Sequence, residues 1–99
     1  MTRKDLQNYM FSTFGEALRL AKTKNADYAS KEDGLKNFRG SVVVNMPMDK
    51  AVLVRILDKI TRIGNLLDRP NVVKNETIND SILDAINYLA ILKAIVEEK

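Results

Sequence analysis

Apolar residues recur at three- and four-residue steps in three stretches of the chain, and this spacing predicts three amphipathic helices. We expect the first helix over residues 2–24, the second over 47–67 and the third over 76–97. Thr2 and Asp5 stand in the positions of a capping box, with aspartate in place of the usual glutamate. The predominant structure is therefore expected to be helical.

The apolar stripe of each helix is expected to face a shared core. The predicted stripes are Leu6, Met10, Phe14, Ala17, Leu18 and Ala21 in the first helix; Val52, Ile56, Ile60, Ile63 and Leu67, widened by Leu53 and Leu57, in the second; and Ile78, Ile82, Ala85, Ile86, Leu89, Leu92 and Val96 in the third. Gly15 interrupts the first stripe, either because another helix approaches closely or because the glycine is tolerated.

The remaining stretches complete the predicted architecture. Residues 30–46 are expected to form a loop with a short helix, because the valines at 42–44 favour a strand but have no second strand to pair with. Beyond Asn87 the third helix is apolar on several sides, which favours burial against another subunit. We predict a single all-α domain over residues 1–99, a small bundle of three main helices plus a short helix or loop segment, completed by homo-oligomerisation.

The amino-acid composition restricts which metals, catalytic groups and ligands the protein can use. The chain has no cysteine and no histidine, which excludes disulfides, thiolate metal sites and histidine bases. A bound metal would be a hard cation held by carboxylates, Mg²⁺ or Mn²⁺ before others. The net charge of +3 is mild and spread along the chain, so a phosphate-bearing small molecule fits it as well as nucleic acid, which is not indicated. No apolar run suits a membrane span or a signal peptide, so we expect a soluble intracellular protein.

The most distinctive feature is an acidic ridge of Glu76, Asp80 and Asp84, one helical turn apart on one face of the third helix. Like charges at this spacing repel each other, so either a bound cation or basic side chains from another helix should offset them. The helix dipole accounts for an acidic residue at Glu76 but not for Asp84, two turns into the helix. Asp58 or Glu16 is a candidate to complete a metal site here.

Basic residues on the second helix are the natural companions of the acidic ridge. Arg55, Lys59 and Arg62 either face the ridge as ion-pair partners or hold phosphate oxygens beside a metal, and the two interpretations are compatible. Tyr28 and Phe38 either stack on a base or fill the core. Asn87 on the acidic face either contacts a ligand or caps an ion-pair network.

The ordered residues resemble a known family. The pattern is Lys24-Asn-x-Asp27-Tyr28, then Asn37-Phe38, then Asp58-Lys59-x-x-Arg62-x-x-Asn65-Leu66, then Val73-x-x-Glu76-x-x-x-Asp80-x-x-x-Asp84-x-x-Asn87-Tyr88. It resembles the phage nucleotide-modification-associated domain 1 family, small helical proteins of bacteriophages and prophages, over roughly residues 17–95. One departure is Ala29, where the family usually has glycine.

A more distant similarity links the Glu-x-x-x-Asp pattern to the MazG-like all-α nucleoside triphosphate pyrophosphatases. In that group two helices each supply a pair of acidic residues to bind magnesium, whereas here only one helix carries a clear acidic set. This resemblance therefore implies nucleotide binding more strongly than it implies hydrolysis.

Together, the resemblances imply a phage-type nucleotide-binding protein in the cytoplasm of an infected or lysogenic bacterium, with Mg²⁺-dependent pyrophosphohydrolysis as a possible activity. Glu76, Asp80 and Asp84 would hold the metal, Lys59 and Arg62 would contact phosphates, and Asp27, Tyr28 and Phe38 would close over sugar or base. The alternatives are a non-catalytic sponge for a host-defence nucleotide signal and a helical adaptor that binds another protein.

Overall fold

A computed structural model describes residues 1–28, 33–69 and 78–98, except for the side chains of residues 25–28. Its elements are α1 over Arg3–Tyr28, a 3-10 helix over Lys36–Val44, α2 over Met48–Asp68 and α3 over Ile78–Glu98. There is no strand among these residues, so the all-α prediction of three main helices and a short one is confirmed. None of the helices in the described ranges is both long and apolar enough to cross a membrane.

The N-terminus of α1 has the capping box that its sequence predicts. The backbone N–H of Thr2 donates to Asp5 Oδ2 at 3.0 Å, and the N–H of Asp5 donates to Thr2 Oγ1 at 3.1 Å. The bond from the Thr2 backbone, joined by the one with its hydroxyl, lowers the pKa of Asp5. At its other end α1 runs to Tyr28, four residues beyond the expected end.

The packed centre of the bundle lies between α2 and α3. Val52, Ile56 and Ile95 form its buried cluster, and the 3-10 segment covers one side of it with Leu35 and Phe38. The α2 residues that face α3 recur at alternating steps of four and three residues. This spacing places them in one narrow row against the neighbouring helix. That row is Val52, Ile56, Lys59, Ile63 and Leu66, all of them buried or half-buried.

This narrow row corrects the predicted burial of α2. Ile60 and Leu67, both predicted to be buried, are 52% and 65% exposed, whereas Leu66 is buried. Leu53 and Leu57 are also exposed. The sequence stripe is wider than the strip that one partner helix covers, so its outer half faces away from α3.

The predicted stripe of α1 is largely exposed as well. Ala17 is buried, but Leu6, Met10 and Phe14 are 48%, 45% and 54% exposed. All twelve residues before Thr13 are exposed, because α1, about 39 Å long, packs on α3 only with its C-terminal half. The burial predicted for the first half of α1 is therefore wrong.

The position of α3 explains why it is apolar on several sides. It packs against both α2 and α1, and its Ile91 and Leu92 contact the central cluster. A second subunit is therefore not needed to account for this burial. Three residues of the predicted α3 core face are nevertheless exposed, namely Ile82, Leu89 and Val96.

We predict that Gly15→Ala stabilises the protein by about 0.5–1 kcal/mol, because glycine is the poorer helix former and an added Cβ finds room. Its nearest neighbour would be the Arg19 guanidinium at 3.6 Å, an ordinary van der Waals contact. Urea unfolding followed by circular dichroism measures the change. Ala17→Gly, two residues along and buried, serves as the control and should destabilise. A destabilised Gly15→Ala variant would mean that another helix packs closely on this glycine.

Candidate functional site

A cleft of about 690 Å³ opens between α1, the 3-10 segment and α3. This volume lies within the range of small-molecule sites. The cleft has apolar walls and a polar group at one side, with contributions from every described helix. Its lining residues are Leu18, Ala21, Lys24, Gly34, Leu35, Asn37, Phe38, Arg55, Asp84, Asn87, Tyr88, Ala90, Ile91 and Ala94.

Asp84 is the electrostatic centre of the cleft. Its Oδ1 lies 2.8 Å from Lys24 Nζ of α1, and its Oδ2 lies 3.1 Å from Lys59 Nζ of α2. The Asp84 side chain is 17% exposed and that of Lys59 23%, whereas Lys24 is about half exposed. One carboxylate of α3 therefore connects all three long helices.

The helix packing explains why the two lysines meet at this carboxylate. Lys59 occupies a position in the α2 row that faces α3, where its neighbours in the row are apolar. Lys24 lies seven residues, two helical turns, after the buried Ala17 on α1. Both flanking helices thus direct a lysine toward α3 at the level of Asp84. The prediction that Lys59 faces the acidic ridge agrees with this geometry.

Two opposing effects determine the ionisation of Asp84. Burial raises the pKa of its carboxyl, and the hydrogen bonds from Lys24 and Lys59, with the positive charge of both ammonium groups, lower it. The lysines dominate, so the pKa of Asp84 lies below its usual value. The carboxylate is therefore ionised at neutral pH and neutralises part of the positive charge around it.

Aromatic and cationic groups form another part of the cleft lining. The guanidinium carbon of Arg55 lies over the Phe38 ring, 5.1 Å from its centroid, within the range of a cation–π contact. Phe38 also packs on the central cluster, as does Tyr88 of α3. Phe38 therefore packs on the core, one of the two interpretations of the sequence, and also lines the cleft. Its stacking on a base stays a prediction.

An ion-pair clasp holds the 3-10 segment in place. Arg39 donates to both carboxylate oxygens of Asp33, at 2.6 and 3.0 Å, and to Glu98 of α3 at 3.3 Å. The bond from Arg39 is the main reason that the pKa of Asp33 is lowered. Asp33 Oδ1 also accepts the N–H of Leu35 at 3.0 Å, which fixes the turn before the helix. The sequence contained no spacing that would have paired Arg39 with Glu98.

Two amide side chains of α3 form hydrogen bonds to α1. Asn87 Nδ2 donates to the Ala17 carbonyl at 3.0 Å, and Asn79 Nδ2 donates to Glu16 Oε1 at 3.4 Å. Asn87 therefore has a structural contact and also lines the cleft. Glu16 lies near the N-terminal end of α3 and makes this contact with Asn79.

The structure brings together part of the predicted site. Phe38, Arg55, Asp84 and Asn87 line the cleft, and Lys59 reaches it through its ion pair with Asp84. Asp58, Arg62 and Asp80 are exposed and do not line it. Glu76 and the side chains of Asp27 and Tyr28 lie outside the described residues.

Among the polar and aromatic residues that line the cleft, the site predictions did not include Lys24, Asn37 and Tyr88. All three occur in the sequence pattern quoted for the phage family. Spacing within one helix could not single them out, because they reach the cleft from separate elements.

The described residues do not form a magnesium site by themselves. Both oxygens of Asp84 already contact ammonium groups, and Asp80 is exposed one turn away. Within residues 1–28, 33–69 and 78–98, as far as their side chains are described, no three Asp or Glu residues are grouped as metal ligands. Glu76 lies outside these ranges, so the metal set of Glu76, Asp80 and Asp84 stays a prediction.

Comparison of the chain with family models, curated proteins and solved structures finds no match. The resemblance to the phage nucleotide-modification-associated domain 1 family therefore rests on the quoted residues and stays a prediction.

We predict that Asp84→Asn lowers the free energy of unfolding by about 1 kcal/mol at pH 7, because two ammonium groups lose their counter-charge in a partly buried setting. Since the folded-state pKa of Asp84 is lowered, its stabilisation is full above the unfolded value of about 3.9 and is lost as pH falls through the folded value. The difference between wild type and variant should therefore shrink below about pH 4.

Urea unfolding at several pH values measures this difference. Glu97→Gln is the matched control, because Glu97 pairs with Lys93 on the same helix at an exposed position and should contribute little. Equal effects of the two substitutions would contradict a special role for Asp84 in joining the helices.

Proposed function

We propose that this protein binds a nucleotide or a closely related phosphate-bearing small molecule in the cleft between α1, the 3-10 segment and α3. One observation carries the proposal. Residues from three distant parts of the family-like pattern, namely Lys24, Asn37 with Phe38, and Asp84 with Asn87 and Tyr88, line the same cavity. Residues that are far apart in sequence and share one cavity are better explained by a common ligand than by local helix requirements.

The charges at the cleft support an anionic ligand. Lys24, Lys59 and Arg55 contribute three positive charges, and Asp84 contributes one negative charge. The excess of positive charge favours phosphate groups, which ammonium and guanidinium groups bind through charge-assisted hydrogen bonds. Lys24 and Arg55 line the cavity and would contact phosphate directly. Lys59 is not among the lining residues and would offset the charge of Asp84 through its ion pair.

The remaining walls support the uncharged part of a nucleotide. Leu35, Phe38, Tyr88 and Ile91 provide apolar and aromatic surface, on which a flat base can pack. The amides of Asn37 and Asn87 provide donors and acceptors for base or sugar groups. This combination of a largely apolar cavity with a few polar groups is typical of small-molecule sites.

The geometry favours binding over metal-dependent hydrolysis as the activity proposed. Asp84, the carboxylate most deeply set in the cleft, is already engaged by two lysines. The family resemblance extends the proposal to a phage protein that sequesters a nucleotide from its host. The two alternatives are Mg²⁺-dependent hydrolysis of the nucleotide and a role as a protein-binding adaptor. The experiments below distinguish both from simple binding.

We predict that a nucleotide raises the melting temperature of the wild-type protein without Mg²⁺, because a ligand at 100 times its dissociation constant adds about 2.7 kcal/mol. A thermal-shift screen over mono-, di-, tri- and cyclic dinucleotides, with and without Mg²⁺, identifies the ligand. Calorimetry on Lys24→Met and Arg55→Met should then give roughly 10- to 100-fold weaker binding. Arg62→Met, two turns along α2 from Arg55 and outside the cleft, is the control and should bind as the wild type does.

The variant Asp84→Asn distinguishes phosphate binding by cations of the protein from phosphate binding through a metal held by Asp84. If cations of the protein hold the phosphates, the variant should bind at least as tightly as the wild type without Mg²⁺, because a negative charge beside the anion is removed. Loss of binding in this variant, together with a requirement for Mg²⁺ in the wild type, would support a metal held by Asp84 and contradict the proposal. Failure of every nucleotide to stabilise the protein would favour the adaptor.

The fate of the ligand separates a binding protein from an enzyme. The protein is incubated with the ligand found in the screen and then denatured, and the released molecules are separated by chromatography. We expect intact nucleotide, because Asp84, which lines the cleft, already contacts two lysines and would have to release them to hold a metal. Recovery of monophosphate and pyrophosphate would instead establish pyrophosphohydrolysis.

A further inference from the structure

The outward side of α2 carries a second apolar row, separate from the cleft and from the row that faces α3. Its large residues Leu53, Leu57, Ile60 and Leu67 are 40%, 55%, 52% and 65% exposed. An added Cβ at Gly64, in the same row, would meet no atom within 4 Å. We call the row formed by Lys50, Leu53, Leu57, Ile60, Gly64 and Leu67 the α2 seam.

The spacing of the α2 seam is that of a helix-pairing surface. Its members alternate steps of three and four residues from end to end, the 3.5-residue period of a two-helix interface. The row facing α3 has the same period and lies one residue earlier, about 100° around the helix. α2 therefore presents two pairing rows, and only one of them has a partner within the described chain.

The α2 seam is complementary to itself when a second copy runs in the opposite direction. Reversing the row places Leu53 opposite the partner's Gly64 and Leu57 opposite the partner's Ile60, so a large side chain meets the open space over a glycine. Lys50 then lies opposite the partner's Leu67, and the neighbouring Asp68 of the partner subunit places an opposite charge near Lys50 at both ends. Each contact occurs twice, as in a two-fold symmetric interface.

We propose that the α2 seam is the interface of an antiparallel dimer of this protein. A parallel pair is disfavoured because Lys50 would face a second Lys50 and Gly64 would leave a gap against another glycine. The seam extends over about 25 Å of helix, which is short for a stable interface, so the dimer should be weak and concentration-dependent.

Sedimentation equilibrium over a range of concentrations tests this proposal. The wild type should approach twice the mass of the 99-residue chain at the highest concentrations. Leu57→Asp and Ile60→Asp should raise the dimer dissociation constant at least tenfold, because each places two charges in the apolar contact. Both side chains are more than half exposed in the single chain, so the variants should keep their helical circular dichroism.

Val43→Asp and Phe11→Asp are the matched controls, since these apolar side chains are 86% and 83% exposed on other surfaces. Both controls should dimerise as the wild type does. A wild type that stays monomeric at all concentrations overturns the proposal. A dimer lost in Phe11→Asp but kept in Ile60→Asp overturns it as well, because the interface would then be on α1.

A charge exchange tests the antiparallel direction. Lys50→Asp should weaken the dimer roughly tenfold, because it would place a negative charge near the partner's Asp68 at both ends. Adding Asp68→Lys in the same chain should restore wild-type affinity, since each aspartate then meets a lysine again. If Lys50→Asp has no effect, or if the double variant is weaker than the single one, the antiparallel arrangement is wrong.

Discussion

The arrangement of the three long helices depends on one carboxylate with two ammonium partners. Asp84 of α3 binds Lys24 of α1 through one oxygen and Lys59 of α2 through the other. Sliding either neighbouring helix along α3 would separate a lysine from this carboxylate, so the two ion pairs favour one relative height of the helices. Asp84 also lines the cleft, so the two ion pairs join the helices at the level of the cleft.

The sequence predicted the number, type and approximate ends of the helices because these depend on local interactions. The Thr2–Asp5 capping box and the three amphipathic periods act within a few residues, and the structure contains all of them. The extent of burial was predicted less well. Leu6 and Ile60 belong to clear apolar stripes but remain exposed, because burial also requires a neighbouring helix at that height.

The candidate site was also predicted only in part, because it too depends on how separate helices pack against each other. The sequence singled out Asp84 and suggested Lys59 as its partner, since an acidic residue deep in an apolar helix needs compensation. It could not identify Lys24, because the meeting of Lys24 and Asp84 depends on how α1 packs against α3. The Arg39 clasp has the same origin, since Glu98 is 59 residues away along the chain.

The clasp between Arg39, Asp33 and Glu98 affects both the affinity and the rate of ligand binding in the cleft. It joins the wall that carries Phe38 to the end of α3, and Leu35 and Phe38 of that wall pack on the central cluster, so the wall is in position before a ligand arrives. A preformed wall avoids the conformational entropy that ordering a loop would cost, which leaves more of the contact energy for affinity. Association is then governed by diffusion and by the attraction between opposite charges, and the residence time by the strength of the contacts.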